Sequence, residues 1–168
     1  MTIEVLTVSA DDWQVWRSMR LAALTDAPGA FGSRLGDWAD AAEGRWRERL
    51  SIPGAIDLLA VDSETRLLVG MATGTPHPHN AEGAGADAEL ISMWVDPAAR
   101  GRGVATALIT AITHWAASAG ARCLTLSVMP NNDAARRIYE RNGFAVVPTQ
   151  GNPVPDAQCE LVMIRTLQ

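Results

Sequence analysis

The stretch Val95-Asp96-Pro97-Ala98-Ala99-Arg100-Gly101-Arg102-Gly103-Val104-Ala105 sets two arginines and two glycines between an apolar run and a helical pattern. Residues of these types in this order can hold an anion. Backbone N–H groups at a helix start lack intrahelical partners, and the helix dipole adds positive potential there. Glycines let a ligand approach the backbone closely, and Arg100 and Arg102 can add charge-assisted hydrogen bonds. The two best-known phosphate loops fit poorly. A P-loop ends in Gly-Lys-Ser/Thr, whereas Gly103 is followed by Val104 and Ala105. The dinucleotide fingerprint needs three glycines at fixed spacing and an acidic residue about twenty positions later.

A second segment, from Val128 to Phe144, lies downstream at the distance one helix and one strand require. Leu124, Leu126 and Val128 alternate with Thr125 and Ser127 as in a strand. Asn131 or Asn132 can cap the helix that follows, with Asp133 favourable in its first turn. Asn142-Gly143 supplies a left-handed stop. Asn132 and Tyr139 are seven residues apart, about two helical turns, so they share one face. Tyr139 is the only tyrosine of the chain, so no other phenol competes with it.

Arg100-x-x-Gly103-x-Ala105 matches an Arg/Gln-x-x-Gly-x-Gly/Ala signature, and Asn132, Ala135, Tyr139 and Gly143-Phe144 match a second motif position for position. On these two motifs, in order and correctly spaced, the chain resembles the GCN5-related N-acetyltransferase (GNAT) superfamily. The resemblance covers residues 55 to 147 in detail and the rest in outline. It implies an α/β fold, a mixed central sheet of about six to seven strands flanked by about four helices, in one domain spanning residues 1–168.

The resemblance also implies acetyl-CoA as co-substrate. Its pyrophosphate would lie on Arg100, Gly101, Arg102, Gly103, Val104 and Ala105. Met93, Trp94 and Val95 would offer backbone groups to the pantetheine amides, like an added strand, and an N–H of that segment would stabilise the oxyanion. Asn132 would hydrogen-bond the pantetheine arm or serve only as a helix cap. Tyr139 would act as general acid toward the departing sulfur. Glu89, at the start of the strand leading to the phosphate loop, would take the amine proton directly or through water, with Glu160 and Asp87 as weaker alternatives. The tryptophan-rich N-terminal helices would line the acceptor pocket, with Phe31, Trp38 and Trp46 as shaping residues, although each can equally be core.

The elements that must position these groups follow from periodicity. Ile3 to Val8 reads as a strand, and Ser9 caps a helix carrying Trp13, Trp16, Arg17, Arg20, Leu21 and Leu24 at helical spacing. A second helix is predicted from Asp37 to Leu50, with Trp38, Ala42, Trp46 and Leu50 on one face. Leu58–Val61 and Leu67–Thr75 form two strands, and Pro76 to Ala86 is a loop by composition. Unless a bulge intervenes, Glu89 and Val95 share one face of the next strand. The helix after the phosphate loop shows Val104, Leu108, Ile112 and Trp115 on one stripe, and Ala107, Ala111 and Ala119 beside them would let it sit close to the sheet. Pro148 to Asp156 is a Pro/Gly-rich crossing, and a last strand runs from Glu160 to Arg165.

With 168 residues, 48% apolar and 20% charged, the chain can bury a substantial core. Its formal charge of −5 argues against a nucleic-acid partner, which needs a basic face. All fourteen basic residues are arginine. No run approaches the length of a membrane span, and the N-terminus lacks a signal region, so the expected location is the cytoplasm. Cys123 and Cys159 read as buried small hydrophobes rather than a disulfide or metal site, and His77 and His79 as exposed loop residues. His114 lies mid-helix, facing solvent. No metal is expected. The expected acceptor is a small-molecule primary amine that attacks directly within a ternary complex, in a monomer or homodimer. A protein N-terminus or lysine as acceptor, or a non-catalytic acyl-CoA sensor, are the alternatives.

Overall fold

A computed structural model describes residues 1–76, 87–153 and 159–167. Seven strands form one sheet: β1 (Ile3–Val8), β2 (Ile56–Asp62), β3 (Leu68–Pro76), β4 (Asp87–Val95), β5 (Cys123–Val128), β6 (Ala145–Pro153) and β7 (Cys159–Thr166), in the order β1-β2-β3-β4-β5-β7-β6. Every neighbouring pair is antiparallel except β4 and β5. A parallel pair needs a crossover, and α4 (Val104–Ser118) provides it. The β4–β5 register covers only Asp87–Glu89 against Cys123–Thr125, although β4 runs on to Val95 and β5 to Val128. Beyond Glu89 the two strands part, and the edge of β4 opens.

Two apolar clusters fill the two faces of the sheet. Under α4, Val104, Leu108, Ile109 and Ile112 pack on Leu58, Ala60, Ala72 and Leu90. On the other face, Trp16 and Met19 of α1 (Trp13–Asp26) and Trp46 of α3 (Glu43–Arg49) pack on Leu59, Met71 and Trp94. At the entry to α1, the Asp12 carboxylate accepts the Ser9 N–H at 2.8 Å, across a short 3-10 turn. α4 lies close on β3 because that strand presents glycine beneath it. A Cβ on Gly70 would stand 3.0 Å from Val104 Cγ1, and one on Gly74 would stand 2.5 Å from the Trp115 ring.

Two expectations need correction. The helix predicted from Asp37 to Leu50 is two helices, α2 (Leu35–Trp38) and α3, separated by a turn. Carbonyls left free at the break are taken by arginines: Arg17 donates to Ala39 O at 3.1 Å, and Arg45 donates to Asp37 O. The break also lets the Trp38 ring lie 4.8 Å from that of Trp46. The crossing expected over Pro148–Asp156 is strand β6 as far as Pro153, with two register shifts against β7. β6 is an edge strand, where a proline without an N–H is tolerated.

Cys123 and Cys159 are free thiols, half-buried rather than buried. His114 is exposed. His77 and His79 lie outside the described residues. Among the described residues no cluster of three or more His, Cys, Asp or Glu could hold a metal ion. Nor is any helix among them long and apolar enough to cross a membrane.

Candidate active site

The site is organised by an irregularity in β4. Thr73 pairs with Ile91 and Met71 with Trp94, so Ala72 alone faces both Ser92 and Met93. This is a bulge, and Ser92 adopts φ 54°, in the left-handed region. It is anchored from a helix. The Arg49 guanidinium from α3 donates to Asp57 Oδ1 (3.1 Å), Thr73 Oγ1 (2.9 Å) and Ser92 Oγ (3.2 Å), while Thr73 Oγ1 donates to the same Asp57 oxygen at 2.6 Å. Asp57 and Thr73 are buried, so this network is tied together where water cannot replace it.

The bulge switches the alternation of β4. Ala88 and Leu90 pack under α4, but Trp94 packs on the opposite face with Trp16, while Met93 and Val95 turn to the α4 side. Glu89 and Val95 therefore face opposite sides, which corrects the shared face expected of an unbroken strand.

A groove of about 640 Å³ runs along the opened edge of β4 to the N-terminus of α4. Its walls carry Met93, Trp94 and Val95 from β4, Arg100, Gly101, Gly103, Val104 and Ala105 from the loop and first turn of α4, and Asn132 and Tyr139 from α5 (Asp133–Arg141). Gly101 (φ 76°) and Gly103 (φ 86°) both hold the left-handed conformation that side-chain-bearing residues avoid. Gly103 is the N-cap of α4, so the unpartnered N–H groups of its first turn look out beside the groove.

Arg100 lines this groove but is already engaged. Its Nη2 pairs with Asp26 Oδ2 at 2.6 Å, and its Nε donates to Val95 O at 3.1 Å. The Trp94 indole N–H donates to the same Asp26 oxygen at 2.9 Å. The Trp94 indole and Arg100 hold the Asp26 carboxyl below the usual carboxylate range. Arg102 is exposed and stands outside the groove lining.

On α5, Asn132 Oδ1 accepts the Ala135 N–H at 3.2 Å, so Asn132 caps the helix. Asn142 then ends that helix and Gly143, at φ 89°, reverses the chain. Tyr139 is half-buried, its ring edge-on to Phe144 with centroids 5.9 Å apart. Burial pushes its hydroxyl up to about 12.

A second, smaller cavity of about 320 Å³ opens on the α1–α3 face of the sheet. Glu89, Phe31 and Trp38 all line it, together with Trp46 and Glu160, whereas Asp87 does not. Ala30 and Phe31 line both cavities, so the two meet at that loop. Two arginines of this second cavity were not singled out from the sequence as site residues. Arg49 is the hub of the bulge network. Arg20 is 8% exposed, and its guanidinium lies over the Phe31 ring at 4.5 Å. On a helical wheel Arg20 falls on the apolar stripe between Trp16 and Leu24, but the Phe31 loop that covers it lies outside its helix.

A strand that parts from its parallel neighbour, a glycine-capped helix beside the gap and an adjoining open cavity together describe an acyl-transferase fold. The model of the Acetyltransferase (GNAT) family matches residues 16–144, and the chain belongs to that family. It is 37% identical over 128 residues to a mycothiol acetyltransferase of Mycobacteroides abscessus, covering 76% of this chain and 40% of that protein. It is 32% identical over 83 residues to the [ribosomal protein bS18]-alanine N-acetyltransferase of Haemophilus ducreyi, covering 48% of this chain and 57% of that one. The chain thus matches only about half the length of these curated relatives, or less. Among solved structures, a GCN5-related N-acetyltransferase from Kribbella flavida superposes with a TM-score of 0.75 at 25% identity, over 98% of both chains. YncA of Salmonella typhimurium, solved with acetyl-CoA, shares the fold with a TM-score of 0.74 at 16% identity, over 100% of this chain and 95% of that one.

Proposed function

We propose that this protein transfers the acetyl group of acetyl-CoA to a primary amine of a small molecule, by direct attack with both substrates bound together. The observation that carries this reading is the meeting of the two cavities at Ala30 and Phe31, with Tyr139 on one side and Glu89 on the other. Acetyl-CoA brings an acetyl group already activated as a thioester, and the groove residues suit its parts. The first turn of α4 and the left-handed glycines before it offer N–H groups to a pyrophosphate. The edge of β4 that β5 leaves unpaired offers backbone groups to pantetheine amides.

The transfer forms one C–N bond and breaks one C–S bond; the amine loses a proton and the thiolate gains one. An alkylamine with pKa about 10.4 is mostly charged at neutral pH, so something must take its proton. Glu89 does so, directly or through water, and Tyr139 donates a hydrogen bond or its proton to the departing sulfur. A cavity of about 320 Å³ suits a small acceptor better than a folded protein surface.

The test has two parts. CoA should raise the melting temperature by mass action on the native state, and Gly103→Glu, which puts bulk and negative charge at the α4 N-cap, should abolish the rise. A panel of small amines should then release free thiol from acetyl-CoA. A mutant that responds to CoA like the wild type would remove the pyrophosphate assignment, and a panel without turnover would remove the small-amine assignment.

A further inference from the structure

The acceptor cavity holds a cation that, among the described residues, meets an aromatic ring but no hydrogen-bond acceptor or ion-pair partner. Arg20 is a lining residue and is 8% exposed, yet its Nη1 is buried with no hydrogen-bond partner among the described residues. Neither does it have an ion pair among them. Its neighbour Arg49 is satisfied by Asp57, Thr73 and Ser92, and so offers Arg20 repulsion and no compensation. Burial, then the charge of Arg49, lowers the Arg20 pKa to about 10, which still leaves it cationic at neutral pH. A second lining residue repeats the pattern. Trp46 is fully buried, and its indole N–H also lacks a partner. Two buried donors without acceptors, on two walls of one small cavity, are costly for a protein to keep unless something else supplies the acceptor.

We propose that the acceptor carries a carboxylate in the same small molecule as its amine, and that Arg20, with the Trp46 indole N–H, receives that carboxylate. This rests on the acetyl-transfer reading above and names its substrate class: an amino acid or similar aminocarboxylate. A carboxylate is acceptor-only and planar, matching a guanidinium fork and an indole donor. The same cavity carries Glu89 and Glu160 for the other end of such a molecule. A zwitterion thus brings both charges that the walls complement. A simple monoamine or polyamine would instead add positive charge beside Arg20 and Arg49.

The test compares matched acceptors: an amino acid, its primary amide and the amine left by its decarboxylation, for several side chains. In the wild type, kcat/KM for the best amino acid should exceed that of its amide and its decarboxylated amine by about tenfold or more. Arg20→Met should lower kcat/KM for the amino acid by about a hundredfold, chiefly through KM. The decarboxylated amine should change by less than about threefold, and Arg20→Lys should restore part of the preference. Wild-type turnover of amino acid, amide and decarboxylated amine alike would overturn this inference and leave the acetyl-transfer reading standing. So would an equal loss for all three in Arg20→Met. No turnover with any member of any set would overturn the small-amine reading, and this inference with it. The wild-type comparison needs no variant, so it decides even if Arg20→Met does not fold.

Discussion

Burial sets what Tyr139 can do as a single group. With its hydroxyl pushed up to about 12, the phenol is fully protonated at neutral pH. Outright transfer of that proton to a thiolate of pKa about 8.5 would run uphill by about 5 kcal/mol. In the proposed transfer its contribution would be a hydrogen bond that tightens as charge collects on the sulfur, with proton transfer late or shared with water. Tyr139→Phe should lower kcat by about ten- to a thousandfold while CoA binding changes little, because the ring and its packing on Phe144 survive. The wild type offers a direct check, since this is the only tyrosine of the chain. Its phenolate absorbance in the near ultraviolet should rise with a midpoint near pH 12, against about 10 for a free phenol. A midpoint near 10 would mean that the hydroxyl is solvated and free to act as an ordinary acid. Arg20 carries the opposite lesson. Its type suggests a solvated residue while its spacing sets it on the stripe of Trp16 and Leu24, and only the placement of Phe31 and Arg49 around it shows what it meets there.

Among the elements, α4 depends most on what lies beneath it. A Cβ on Gly74 would stand 2.5 Å and 2.7 Å from two atoms of the rigid Trp115 indole and 3.2 Å from Ile56. Gly74→Ala must therefore lift the helix or turn the indole. The expected cost is about 1–3 kcal/mol, seen as a melting temperature lower by about 3–10 °C. Adding Trp115→Leu should recover part of the loss. An alanine variant as stable as the wild type would show that α4 is not held down at this point. The sequence led instead to the alanines of α4 as the reason for its close approach, because helical periodicity exposes one partner and hides the strand's side. The same asymmetry runs through the site. The glycine loop before α4 and the cap, stop and Tyr139 of α5 are local devices, so spacing alone locates them. The bulge in β4 is not local, since its anchor Arg49 lies 43 residues before Ser92. A strand's two-residue period carries no mark of the extra residue until that contact is seen. The break between α2 and α3 was hidden similarly, because Trp38 and Trp46 keep helical spacing across it.

At the scale of the molecule, the two cavities share β4 and the Ala30–Phe31 loop but are walled mainly by different helices, and Asp26 links the two sides. It is the last residue of α1, and its Oδ2 accepts from Trp94 of β4 and pairs with Arg100 of the glycine loop before α4. One carboxylate oxygen thus ties α1, which lines the smaller cavity through Arg20, to the groove along β4. Asp26→Ala leaves the Trp94 N–H without its acceptor beside a half-free Arg100; because Asp26 itself is exposed, the expected destabilisation at neutral pH is only about 1 kcal/mol. The pH dependence has a definite sign. The Trp94 indole and then Arg100 depress the folded pKa of Asp26, so its contribution is complete above the ordinary carboxylate pKa of about 3.9. It is lost as pH falls through the depressed folded value. The difference in melting temperature between wild type and Asp26→Ala should therefore be flat from neutral pH to about pH 5 and shrink as pH falls below about 4. What remains at low pH is the neutral hydrogen bond from Trp94. A gap of constant size across that range would mean that the charge on Asp26 contributes nothing and that packing at the end of α1 alone joins the two halves.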